Sequence, residues 1–101
     1  MSDDAEYSGE WKIEAAKIGA GLFGVTVSGS GGSFSYQVKA STKDLENFGV
    51  SDVPVIEVIS EAFQFLLERE GPSTILSSFE LPVIAKYFPE FKTEIGKRFK
   101  N

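Results

Sequence analysis

The sequence predicts an α+β domain: a three-stranded antiparallel β-meander over about residues 10–41, followed by helices packed on one face of the sheet. Three observations predict it. Apolar and polar residues alternate between Glu10 and Ser41, the pattern of half-buried strands whose successive side chains point to opposite faces. The two breaks in that alternation are short and rich in glycine, which suits hairpin turns between antiparallel neighbours. After Ser41 the apolar spacing lengthens to that of helices,.

Met1 to Gly9 is polar and acidic without a periodic apolar pattern, and is expected to be a frayed leader. Residues 10–101 then form a single domain, with no linker or internal repeat. In the first strand Trp11, Ile13 and Ala15 alternate with Lys12, Glu14 and Ala16. Ile18 breaks their parity, which predicts a bulge or an early strand end. Gly19-Ala20-Gly21 is the first turn. Phe23, Val25 and Val27 form the apolar side of the second strand, and Gly29-Ser30-Gly31-Gly32 is the second turn. In the third strand Phe34, Tyr36, Val38 and Ala40 alternate with Ser35, Gln37, Lys39 and Ser41. One sheet face is therefore apolar. The other carries Lys12, Thr26, Ser28, Ser35, Gln37 and Lys39, a solvated face and the most plausible binding surface among the strands.

Ser41-Thr42-Lys43-Asp44 matches a capping box, with an acceptor at the cap and an acid three residues later,. It predicts a short helix that buries Leu45 and Phe48 and stops at Gly49. Ser51 and Asp52 are candidate caps for a long central helix over about residues 52–70, with Pro54 in its first turn and Gly71-Pro72 at its end,. Its apolar positions, Val55, Ile56, Val58, Ile59, Ala62, Phe63, Phe65, Leu66 and Leu67, form a stripe wider than one sheet face covers. Such a helix is central, or it also meets a second subunit. Two or three short C-terminal helices follow. Ser73 to Ser78 predicts one or two turns with Ile75, Leu76 and Phe79 inward. Leu81 to Phe88 predicts another, stopped by Pro89. A last helix from about Glu90 places Phe91, Ile95 and Phe99 on one face,.

Composition excludes several chemistries. Cysteine and histidine are absent from the 101 residues. Disulfides, thiol nucleophiles, Cys/His zinc sites and imidazole-based triads are therefore impossible within one chain. Any catalysis would rest on carboxylates, lysines, hydroxyls or a bound cofactor. The formal charge is −5, from 15 acidic and 10 basic side chains, which opposes broad nucleic-acid binding. No apolar run approaches the roughly 20 residues of a membrane span, and the acidic start is unlike a signal peptide. The expected location is therefore the cytoplasm.

Gly19-Ala20-Gly21-Leu22-Phe23-Gly24 satisfies the spacing G-x-G-x-x-G, with Asp44 about 20 residues on,. A dinucleotide site needs a helix after the glycines, and Val25-Thr26-Val27-Ser28 reads as a strand, so a hairpin turn explains them better. The second glycine cluster, Gly29 to Gly32, lacks the Lys-Ser/Thr ending of a P-loop. On the long helix Glu57, Ser60, Glu61, Gln64 and Glu68 share a face. That face is read as solvated, as paired with the basic tail, or as a dock for a basic partner, cation or acid/base chemistry. Lys92, Lys97, Arg98 and Lys100 make the tail basic against a single Glu94 in residues 91–101. Cations there complement the helix macrodipole. A helix-turn-helix stretched over Thr74 to Phe88 would offer only Lys86 as a cation on its second helix,.

Residues 65–91 contain Arg69-Glu70, Pro72-Ser73, Ile75-Leu76, Phe79, Ile84 and Tyr87-Phe88-Pro89-Glu90. This pattern resembles small uncharacterised prokaryotic proteins over the last third of the chain. The resemblance implies no activity and no site. Most of the pattern is packing and punctuation; Arg69, Glu70 and Glu90 are its charged members.

No catalytic, cofactor-binding or metal-ligating residue is assigned, and no cofactor is expected. The expected function is a non-catalytic protein-interaction module that binds a protein partner or itself as a homodimer. The interaction surface comprises Glu57, Glu61, Glu68, Lys92, Lys97, Arg98 and Lys100. The alternative is a small-ligand or anion binder with a pocket between sheet and helices, lined by Tyr36 or Tyr87. A nucleic-acid accessory role of the basic tail is the third reading.

Overall fold

Glycine turns and alternating side chains lay residues 6–8, 11–29 and 32–39 out as a sheet that follows chain order. The computed structural model describes residues 6–8, 11–29 and 32–99. Strands β1 (Glu6–Ser8), β2 (Trp11–Gly19), β3 (Leu22–Gly29) and β4 (Gly32–Lys39) pair antiparallel in sequence, and β5 (Ser78–Glu80) adds parallel to β4. The predicted meander is β2–β3–β4. Ile13 stands opposite Val27, Val25 opposite Tyr36 and Phe23 opposite Val38. Cross-strand partners share a face, so these six residues form one buried surface.

The first turn puts Gly21 at φ 66°, which glycine adopts without a Cβ clash. A strand and not a helix follows it, so the glycine spacing builds a hairpin and no dinucleotide site. The register slips between Lys17 and Gly19, where the parity of Ile18 breaks. Ile18 is left 54% exposed on the outer face, and a Cβ at Gly24 would lie 3.4 Å from its Cγ2.

Two strands depart from expectation. Residues 6–8, inside the segment expected to fray, pair with β2. The rest of that segment, 1–5 and 9, lies outside the described residues, as do Ser30, Gly31 and Lys100. β5 occupies part of the stretch expected to be helical turns. Only a 3-10 turn, Pro72–Thr74, forms there. Ile75 and Phe79 are buried, but Leu76 is 48% exposed and not turned inward. Strand pairing is made by backbone groups, and three residues are too few to show a period.

The helices are α1 (Thr42–Asn47), α2 (Val55–Leu67), α3 (Val83–Tyr87) and α4 (Phe91–Phe99). At α1 both bonds of the capping box are present, Asp44 N–H to Ser41 Oγ at 3.1 Å and Ser41 N–H to an Asp44 carboxylate oxygen at 3.0 Å. Gly49 ends that segment at φ 74°. α2 is shorter than the expected 52–70. Its N-cap is Pro54, not Ser51 or Asp52, because the residue before a proline is driven out of the helical region. Its far end passes into a turn in which Arg69 and Glu70 N–H groups both donate to the Leu66 carbonyl.

The wide apolar stripe is explained by three layers. α2 packs on β2 with one side and on α4 with the other. Val58, Ile59, Ala62, Phe63 and Phe65 are fully buried, and the valine, isoleucine and phenylalanines contribute about 1.5–3 kcal/mol each. Phe65 meets Phe91 at 5.1 Å and Phe88 at 5.8 Å between ring centres. Phe91 in turn meets Phe48 at 5.2 Å. The surface that suggested a second subunit is thus largely covered from within the chain. No helix among the described residues is long and apolar enough to cross a membrane.

Candidate functional site

The acidic face of α2 and the tail helix α4 meet through one guanidinium. Arg98 donates from Nη1 to Glu61 Oε1 at 3.1 Å and from Nη2 to both Glu68 oxygens at 3.0 and 3.1 Å. Its side chain is 19% exposed and that of Glu61 25%. Burial opposes the charge on Arg98, but the bonds to Glu61 and then Glu68 outweigh it, and its pKa stands above the ordinary value. Its Nε is buried without a hydrogen-bond partner.

The pairing extends. Arg69 Nη1 reaches Glu68 Oε1 at 3.3 Å, and Arg69 Nε donates to Glu90 Oε2 at 3.2 Å. The Arg69 guanidinium carbon lies 3.7 Å from the centre of the Phe65 ring, within cation–π range. Nη1 also donates to the Phe65 carbonyl at 3.2 Å. A chain of charges, Glu61–Arg98–Glu68–Arg69–Glu90, therefore straps α2 to α4 and to the turn before it. Glu90 is held below the usual carboxylate range, first by its own backbone N–H and then by Arg69.

Of the residues expected to form an interaction surface, the structure brings together Glu61, Glu68 and Arg98. Glu57, Lys92 and Lys97 are exposed and take no part in the strap. Arg69 and Glu90 complete it, although nothing in their separate sequence positions pairs them. Ion pairs already engage its carboxylates, so it acts as a clasp. Among the described residues no three Asp or Glu side chains converge to hold a metal ion.

An open groove lies elsewhere, between the end of α2, the 3-10 turn, β5 and α3. Its volume is about 390 Å³. Its apolar lining includes Leu66, Ile75, Leu76, Phe79, Val83 and Tyr87. Tyr87 is 67% exposed and Leu76 48%, so its rim is apolar and open to solvent. Glu70 is the charged residue of the lining, and one of its oxygens accepts from Thr74 Oγ1 at 2.9 Å. Tyr36 supports the groove from the sheet: its hydroxyl donates to the Pro72 carbonyl at 2.6 Å.

Sequence reasoning named Tyr87 as a lining residue but set Leu76 and Phe79 inside a helical core. Phe79 is buried as expected, but on strand β5, which has no sequence signal, and Leu76 before it is exposed. A second, shallower hollow of about 490 Å³ lies on the outer sheet face beside Ile18, Gly24, Gln37 and Ser78.

No family model matches the chain, and no curated protein or solved structure shows significant similarity to it.

Proposed function

We propose that the protein is a non-catalytic interaction module that receives an apolar side chain of a partner protein in the groove between α2, β5 and α3. One observation carries this reading: Leu76 and Tyr87 stand exposed in the lining of an apolar hollow. Isolated exposed apolar residues are ordinary, but a contiguous apolar recess marks a contact surface. The clasp supports the same reading by tying the end of α2, which lines the groove, to α4 and Glu90. A contact surface on fixed elements loses less conformational freedom on binding.

The test is selection of peptides from a display library on the intact protein, followed by amide chemical-shift mapping. Ile75, Leu76, Phe79 and Tyr87 are expected to shift together. Tyr87→Ala and Leu76→Ser are expected to weaken binding at least tenfold, in line with loss of buried anchors at an interface. Selected peptides that shift only other surfaces would overturn the reading.

The volume of the groove also lies within the range of small-molecule sites, which favours a ligand-binding role as the second reading. An apolar fragment that shifts the same amides and saturates, with no peptide selected, supports it.

A further inference from the structure

We propose that the occupant of the groove is an extended, basic segment of the partner that adds to the sheet as a sixth strand beside β5. The inference rests on the groove being the binding surface and adds which chain conformation it takes. β5 is the last strand of the sheet, so no strand among the described residues pairs with its outer edge. Gln37 N–H donates to the Ser77 carbonyl at 2.8 Å, and Leu81 N–H donates to the Lys39 carbonyl at 2.8 Å. Residues 77 and 81 therefore turn their bonding groups toward β4. By the two-residue repeat of a parallel ladder, Ser78 and Glu80 turn theirs outward. Both residues are exposed. Such a row of unpaired donors and acceptors is a template for another strand.

The side-chain directions join this edge to the groove. Phe79 lies in the lining, on the buried face of the sheet opposite Val38. In a sheet, a residue directly across from Phe79 on an added strand shares its face. That residue enters the groove, while its two neighbours project to the outer face. Backbone bonds supply the attachment and the alternate pocket supplies selectivity, a known mode of peptide capture. A docked helix would fill the hollow but leave the edge groups of Ser78 and Glu80 covered and unpaired, which is unfavourable for polar groups removed from water.

Charge selects the kind of segment. Glu70 is the charged side chain of the lining, Glu80 stands on the edge, and the chain carries a net −5. A second copy docking by two-fold symmetry would set this acidic surface against itself. A segment with an apolar residue flanked by lysine or arginine sets the apolar side chain in the hollow and its cations beside Glu80 on the outer face,.

The experiment is selection on the intact protein from a display library of peptides randomised over seven positions. The strongest peptide is then resynthesised with single backbone N-methyl groups. The enriched peptides are expected to alternate basic and apolar residues. N-methylation at alternate positions is expected to weaken binding more than tenfold, while methylation at the positions between has little effect. The amides of Ser78 and Glu80 are expected to gain protection from hydrogen exchange, and Glu80→Gln to weaken binding several-fold and flatten its salt dependence.

Peptides that shift Leu76 and Tyr87 but tolerate every N-methyl group, or that bind as helices, would overturn strand addition and leave the groove reading standing. Failure to enrich any peptide, or shifts confined to other surfaces, would overturn both. Enrichment of acidic peptides would overturn the charge assignment.

Discussion

The Tyr36 hydroxyl and the Pro72 carbonyl, 36 residues apart, share a 2.6 Å hydrogen bond inside the protein. Tyr36 is on the central part of β4, with its ring 5.1 Å from that of Phe63 on α2. Pro72 opens the turn that becomes a groove wall. The bond thus fixes the turn against the sheet and sets where Ile75 and Leu76 stand.

Tyr36→Phe leaves a buried acceptor without its donor, and is expected to lower stability by about 1–2 kcal/mol, measured by urea unfolding. The pH dependence gives a second readout. Burial, and then the charge of Glu70, raise the phenol above its ordinary value of 10.0. The unfolded chain therefore ionises first. The contribution of neutral Tyr36 is complete below about pH 10 and is lost as pH rises toward the folded value. Urea midpoints are expected to fall in that alkaline window for the native chain, and to fall less for Tyr36→Phe.

Arg98→Met is expected to cost about 1–3 kcal/mol, since it strands the half-buried Glu61 carboxylate and removes charged hydrogen bonds. Adding Glu61→Gln is expected to cost less than the two single changes sum to, because the second change relieves the stranded charge. A double-mutant cycle by thermal or urea unfolding measures this coupling. Strict additivity would show that Glu61 and Arg98 do not interact in solution.

The Glu90 carboxylate is expected to titrate below the usual carboxylate value, followed by its side-chain carbon shift in an NMR pH series. Its own backbone N–H is the largest cause and Arg69 a smaller one. Arg69→Met is therefore expected to return the value only part of the way. The stabilising share of this group is present above the unfolded carboxylate value near 4.5. It is lost as pH falls through the lower folded value.

Gly49→Ala is expected to destabilise by about 1–2 kcal/mol, because an L-residue at φ 74° is strained,. No atom lies within 4 Å of where its Cβ would sit, so the cost is conformational and not steric. Gly49→Asn is expected to cost less, since asparagine tolerates this region. Equal losses for both would show that space, not backbone conformation, governs the site.

The meander, the capping box and the last helix were legible because each rests on neighbours in sequence. Ile13, Val25 and Val27 show a two-residue period that the backbone enforces locally. Ser41 and Asp44 bond across three residues. The strap was half legible. Glu61 and Glu68 share a helix face by spacing alone, but their partner is Arg98 and not one of the lysines. A guanidinium can bridge two carboxylates in one plane where an ammonium offers a point charge. The groove was least legible. Leu76 and Phe79 read as a helical pair, and only pairing with Lys39 and Gln37 turned that stretch into a strand.

By itself the sequence determined the class of fold, the strand faces, the turns at Gly21 and Gly49, and the exclusion of thiol and imidazole chemistry. These follow from short-range sterics and from which side chains exist. Tertiary structure alone decided that α2 is covered on two sides, that Arg98 and Arg69 link its carboxylates to α4 and Glu90, and that a parallel β5 ends the described sheet beside an apolar groove. Those features join residues 20 to 40 positions apart. Such contacts form only when burial of the whole core compensates the entropy of closing the chain between them.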